Sequence, residues 1–204
     1  IRRQRQMCIR GRCVDKGCLG GKDCYGLRDE HRTIYESDEE RLKMARASAA
    51  TEAWRYLEAT RLEELVHFAR GMSFEHLGLA FCFGLPEEAR ALADILGRNG
   101  FKVSSVICKA CSVSKDDLSL ERILPPNIPE GMCNPIGQAE LLNRAETQLN
   151  VVLGLCVGHD ALFTMHSKAP VTTFATKDRA LGHNPMSALY NLYNKIRYSK
   201  PVGE

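Results

Sequence analysis

The chain has 204 residues, 44% of them hydrophobic, and carries 28 basic and 25 acidic side chains for a net charge of +3. That length can bury a real core, most simply as one main domain with an appendage. No apolar run approaches the roughly 20 residues of a membrane span, and no secretory pattern appears. A reducing cytoplasm is therefore the expected setting, with no membrane partner.

Residues 1–36 read as a cysteine-rich metal-binding segment. "CIRGRCVDKGCLGGKDCYG" places Cys8, Cys13, Cys18 and Cys24 among five glycines, with few large apolar residues. Such a stretch cannot bury enough surface to fold unaided, so something must staple it. The spacing lacks the paired C-x2-C hooks of common zinc ribbons and ferredoxin loops. Four thiols on a Gly-rich loop still point to a structural or electron-transfer metal site. Residues 1–32 hold nine basic and four acidic side chains, a local +5. Lys22, Arg10 and Arg12 would offset a negative thiolate site. This lobe could meet an acidic partner, but no aromatic-interleaved basic patch or nucleic-acid motif accompanies it, so nucleic acid is not expected.

Residues 37–72 read as a helical segment. Ser37 and Glu40 form a capping-box pattern, followed by Leu42, Ala45, Ala49, Ala53 and Leu57 at helical spacing. Thr60 is a second cap, with Leu62, Leu65, Val66 and Ala69 inward and a stop near Gly71.

Residues 73–204 alternate strand and helix. "LGLAFCF", "FKVSSVIC", "NVVLGLC" and "PVTTFAT" are short apolar runs, separated by segments that open at Pro86, Asn134-Pro135 and His159. A last helix is expected after His183-Asn184-Pro185, through Leu189, Leu192 and Ile196. This grammar predicts an α/β fold: a Rossmann-like parallel sheet of about four strands with helices on both faces. The N-terminal cysteine knuckle and the helical linker precede it.

In an open α/β sheet, ligands bind beyond the carboxyl ends of the strands. Cys82, Cys108 and Cys156 fall at three such ends, and Cys133 directly precedes a helix start, where the macrodipole favours a thiolate. Cys82, inside "LAFCF", reads as a small core residue. Cys108, Cys133 and Cys156 read as a cofactor- and metal-binding set. Thiolates select zinc, Cu(I) or iron–sulfur clusters, and an iron–sulfur cluster is the preferred expectation, with zinc second. His159 and Asp160 are candidates for a further ligand or a proton donor. Lys177, Asp178, Arg179 and His183 follow the fourth strand and would overhang the same rim, the basic ones to position a small anionic or sulfur-containing substrate. Cys108 and Cys111 form the one C-x-x-C, a weak redox signal. No P-loop, G-x-G-x-x-G after a strand, G-x-S-x-G or H-E-x-x-H appears.

The strings "CNPIGQAELLN", "LNVVLGLCVGHDALF", "APVTTFATKDR" and "GHNPMSALY" resemble domain-of-unknown-function family 1847, a group of proteins from anaerobic bacteria and archaea. The resemblance spans residue 8 to about residue 193. It implies metal binding, through an N-terminal cysteine cluster matching Cys8, Cys13, Cys18 and Cys24 and through cysteines matching Cys108, Cys133 and Cys156. It implies no settled activity, and Cys111 departs from its pattern.

Three functions are thus in play. The first is a metal- or cluster-binding protein, with an enzymatic role in redox or sulfur chemistry open and a redox partner protein implied if electrons move. The second is a non-catalytic interaction module stapled by zinc. The third is a thiol redox protein using Cys108 and Cys111.

Overall fold

The computed structural model describes residues 16–190, 196, 197 and 201. Two compact units divide the chain, Ile1–Tyr56 and Leu57–Glu204. Among the described residues no helix is long and apolar enough to cross a membrane.

In the first unit a 3-10 turn at Gly17–Gly20 leads to helix α1 (Arg28–Glu36) and helix α2 (Glu39–Ala53). Helix α1 falls inside the stretch that composition assigns to the cysteine segment. Asp23 organises the loop before it, accepting backbone N–H bonds from Tyr25, Gly26 and Arg28. The expected cap of α2 is corrected by one residue. Asp38, not Ser37, accepts from the Arg41 N–H at 2.9 Å. Ser37 instead closes α1, its hydroxyl donating to the Ile34 carbonyl. Both residue types cap well, and the extended backbone at Asp38 decides between them.

The second unit starts at helix α3 (Arg61–Gly71), where Thr60 and Glu63 complete a capping box. Strands β1 (His76–Phe81), β2 (Lys102–Ile107), β3 (Leu149–Leu155) and β4 (Val171–Thr176) follow, with helices α4 (Pro86–Arg98), α5 (Pro135–Arg144) and α6 (His159–His166) between them. Helix α7 is described at Ser187–Tyr190, and Ile196, expected in the last helix, is also helical; Leu192 lies outside the described residues. All strand pairs are parallel, in the order β2-β1-β3-β4. The chain is α/β with a four-stranded parallel sheet and flanking helices.

Both faces of the sheet are covered, which is why its central strands read as unbroken apolar runs. On one face Leu77, Leu79, Val151 and Leu153 pack with Leu65, Val66 and Ala69 of α3 and Ala89, Leu92 and Leu96 of α4. On the other, Ala80, Val152 and Leu155 pack with Ala139 and Leu142 of α5 and Phe163 of α6. All seven residues of β3 are buried. Its polar member, Asn150, is satisfied: Oδ1 accepts from Thr147 and Nδ2 donates to Ser167.

The strand order has one consequence for function. The chain leaves β1 for β2 on one side, then returns to place β3 on the other. The loops after β1 and β3 therefore diverge, and the crevice between their carboxyl ends is the topological switch point, where open α/β sheets bind ligands.

Candidate functional site

The carboxyl rim is built from strand ends. Cys108 follows β2, Cys82 follows β1, Cys156 follows β3 and Lys177 follows β4. Ladder bonds continue one residue past the strands and fix these positions: Cys108 N–H donates to Phe81, Cys82 N–H to Leu153 and Lys177 N–H to Leu155. Parallel register thus brings together residues that lie far apart in sequence.

Cys133 arrives by another route. Asn134 caps α5 with its side chain, accepting from the Gly137 N–H at 2.8 Å, and donates its own N–H to the Cys108 carbonyl at 2.7 Å. Its amide also donates to the Ala110 carbonyl. Cys133, one residue earlier, is thereby held beside Cys108, and their side chains are hydrogen-bonded. Cys108 is buried and Cys133 half-buried.

The proton on this pair stays with Cys108. Donation from Cys108 brings the Cys133 thiol down to about 5, against its burial, and the charges of Lys109, His159 and Lys115 act in the same direction. Cys108 moves strongly upward, first because its proton is shared with Cys133 and then because it is buried.

The loop after β1 supplies two further donors to sulfur. Phe83 N–H donates to the Cys108 sulfur at 3.2 Å and Gly84 N–H to the Cys82 sulfur at 3.4 Å. Cys82 is as buried as a core residue, but its sulfur belongs to the rim. Cys156, half-buried, accepts from Arg179 Nη2 at 3.2 Å, which holds the guanidinium even more firmly in its charged form.

The remaining candidates separate. His159 begins α6, its N–H donating to the Cys156 carbonyl, and Asp160 Oδ1 accepts from the next residue's N–H. Asp178 and His183 build a turn: Asp178 Oδ1 accepts from Ala180 and Leu181, while His183 Nδ1 accepts from the Asp178 N–H at 3.1 Å. Lys177 is half-buried, and its ammonium has no hydrogen bond or ion pair among the described residues. Cys111 is exposed in a positive-φ turn, and the sulfur that Cys108 meets is that of Cys133.

Cys18 is exposed on the 3-10 turn and Cys24 half-buried in the Asp23 loop; Cys8 and Cys13 lie outside the described residues. Among the described residues, no three His, Cys, Asp or Glu side chains stand in an arrangement that could hold a metal ion.

One positioning residue escapes a motif search. Gln138, fully buried on α5, donates through Nε2 to the Phe81 carbonyl at 3.2 Å and the Val106 carbonyl at 2.7 Å. It ties the start of α5, and so Cys133, to the ends of β1 and β2. The available signal was a Gln beside Ala139 and Leu142 on an otherwise apolar helix stripe.

The family model described as "Protein of unknown function (DUF1847)" matches residues 21–174. The chain belongs to the DUF1847 family. Its match takes in Cys82, Cys108, Cys133 and Cys156 and ends just before Lys177. The uncharacterized protein MJ0455 of Methanocaldococcus jannaschii is similar to this DUF1847 chain, with 48% identity over 183 residues that cover 89% of this chain and 93% of that protein. No solved structure matches.

Proposed function

We propose that this DUF1847 protein binds a metal ion or an iron–sulfur cluster through thiolates at the sheet rim, with Cys108, Cys133 and Cys156 as ligands. In this reading Cys8, Cys13, Cys18 and Cys24 form a second thiol site in the N-terminal segment. The hydrogen-bonded Cys108–Cys133 pair carries the proposal. Two adjacent thiols, one of them made acidic by the other, need only lose their protons to become two soft ligands.

The surroundings suit that role. Backbone N–H groups reach the Cys108 and Cys82 sulfurs, which favours negative sulfur. Lys109, Lys115 and His159 place positive charge near Cys133. Cys156 leaves Arg179 to complete the set on binding. A bound cluster supplies electron transfer or an open iron; zinc supplies a Lewis acid. The chain's own contribution is to orient the sulfurs, neutralise their charge and exclude water around Cys108 and Cys82.

Anaerobic purification followed by iron, zinc and acid-labile sulfide analysis, with a visible spectrum, tests the reading. Bound metal that falls in Cys133→Ala and Cys156→Ala is the expected result. A protein free of iron, sulfide and zinc sinks it.

The same pair favours a second reading, a thiol redox centre. Here Cys108 and Cys133, rather than Cys108 and Cys111, lose two electrons and two protons to an oxidant to form a disulfide. Peptide mapping after mild oxidation distinguishes it by a Cys108–Cys133 crosslink.

A further inference from the structure

We infer that the switch-point crevice between β1 and β3 binds a small oxyanion, a carboxylate or a phosphate, and that Lys177 is the cation that meets it. This rests on the rim being the working face of the protein, but not on which metal, if any, the sulfurs hold.

Two glycines flank the Lys177 ammonium at the crevice. Gly84 follows β1 and Gly154 lies near the end of β3. A Cβ added at Gly84 would stand 3.9 Å from Lys177 Nζ, and one at Gly154 would stand 3.7 Å from it. The ammonium therefore lies over both glycines, at the divergence of the two loops. Gly154 carries a φ of +69° and marks a register shift between β3 and β4. The missing side chain at Gly84 leaves room for the ammonium and the Cys82 sulfur, while the Gly154 position is covered by Leu85 and the ammonium.

Lys177 differs from the rim's other lysines and from Arg179 in that its ammonium has no partner among the described residues. Arg179 is bonded to the Cys156 sulfur. Lys109 donates to the Gly131 carbonyl and lies 5.7 Å from the Phe83 ring centroid. Lys115 pairs with Glu130 at 2.7 Å. His183, a sequence candidate for holding an anion, uses Nδ1 to accept from Asp178. Lys177 alone in this set is half-buried with no partner for its ammonium among the described residues. Neither carboxylate of the flanking turns is ion-paired with it: Asp178 Oδ1 caps its own turn and Asp160 Oδ1 accepts from the following N–H. An ammonium drawn part-way out of water gains most from an anion that returns its lost hydrogen bonds.

A small oxyanion fits this geometry better than a large ligand. It needs one strong cation, and the Cys82 sulfur, also 3.9 Å from the Cβ position at Gly84, would lie beside the bound group. A ligand held there has its reacting end next to the thiol cluster.

The experiment is an NMR titration of the reduced protein with inorganic phosphate and, separately, acetate, against sodium chloride of matched ionic strength. Saturable shifts of the Gly84 and Gly154 amides are expected with one of the two oxyanions, which also tells phosphate from carboxylate. Lys177→Met should weaken that binding by about tenfold or more, while Lys177→Arg keeps it within about threefold. Metal and sulfide are measured on the same samples. Retained wild-type metal content in Lys177→Met, with anion binding lost, supports the assignment. It stands equally if the wild type binds an oxyanion and no metal. Absence of saturable shifts with both anions, or shifts that survive Lys177→Met, overturns it. Loss of metal from Lys177→Met also overturns it, because Lys177 would then be neutralising the sulfurs.

Discussion

The backbone N–H of Asn134 donates to the carbonyl of Cys108 at 2.7 Å, and that bond sets Cys133 beside Cys108. The consequence is chemical. A half-buried thiol is made acidic by a buried neighbour that keeps its own proton.

In metal-free reduced protein, Cys133 should react with iodoacetamide at a nearly constant rate from pH 6 to pH 8, because its folded value lies at about 5. An ordinary thiol, near 8.5, is about 1% thiolate or less at pH 6. Cys108→Ala removes the donor, so labelling of Cys133 at pH 6 should fall about tenfold or more, read by mass spectrometry. The folded value lies below the unfolded one, so this thiolate's stabilisation is full above about 8.5 and is lost as pH falls toward 5. Cys108 acts oppositely above about 8.5, since it keeps a proton that the unfolded chain releases.

Local pattern carried the strands and most caps. Four apolar runs became β1 to β4, and Asn134-Pro135 and Thr60 begin helices as their chemistry requires. What local pattern could not carry was lateral order. Nothing in "LAFCF" says that Cys82 ends a central strand and turns its sulfur to Gly84. Nor does "CNPIG" say that its cysteine meets Cys108, a contact made through a loop of more than twenty residues. Nor does the sequence show that the His183 ring accepts from the Asp178 N–H, because such turns depend on backbone angles, here a φ of +65°.

Gly154 should tolerate no side chain. A Cβ there would sit 2.3 Å from Leu85 Cδ1, at a φ that L residues rarely adopt. Gly154→Ala should cost about 1–3 kcal/mol of backbone strain alone. Leu85→Ala in the same chain should recover the steric share but not the strain. Urea unfolding of the single and double variants separates the two, and a fully additive pair would show that Leu85 is not the obstacle.

Thr60→Ala should lower stability by about 1 kcal/mol, since it deletes half of a capping box. Amide exchange should rise first at Glu63, whose N–H loses its acceptor. Unchanged exchange across the first turn of α3 would contradict the assignment.

Glu130 governs the long loop that precedes Cys133. Its Oε1 meets Lys115 at 2.7 Å, and Oε2 accepts from the N–H groups of Ile123 and Leu124, both at 2.9 Å. Lys115, first, and then those N–H donors hold the carboxyl down to about 2. A carboxylate depressed in the fold stabilises at neutral pH and loses that contribution as pH falls through its folded value. The loop should therefore stay ordered to well below the usual carboxylate range and loosen only near pH 2. Glu130→Gln keeps the size and discards the charge, leaving Lys115 without its ion pair and exchanging one acceptor oxygen for an NH2. Amide exchange at Ile123 and Leu124 should accelerate at pH 7 in this variant. Because the Ser114–Gly131 bridge and the Lys115 N–H bond to the Glu130 carbonyl lie between that loop and Cys133, Cys133 labelling at pH 6 should slow as well. Faster exchange with unchanged Cys133 reactivity would mean that Asn134 alone positions the thiolate.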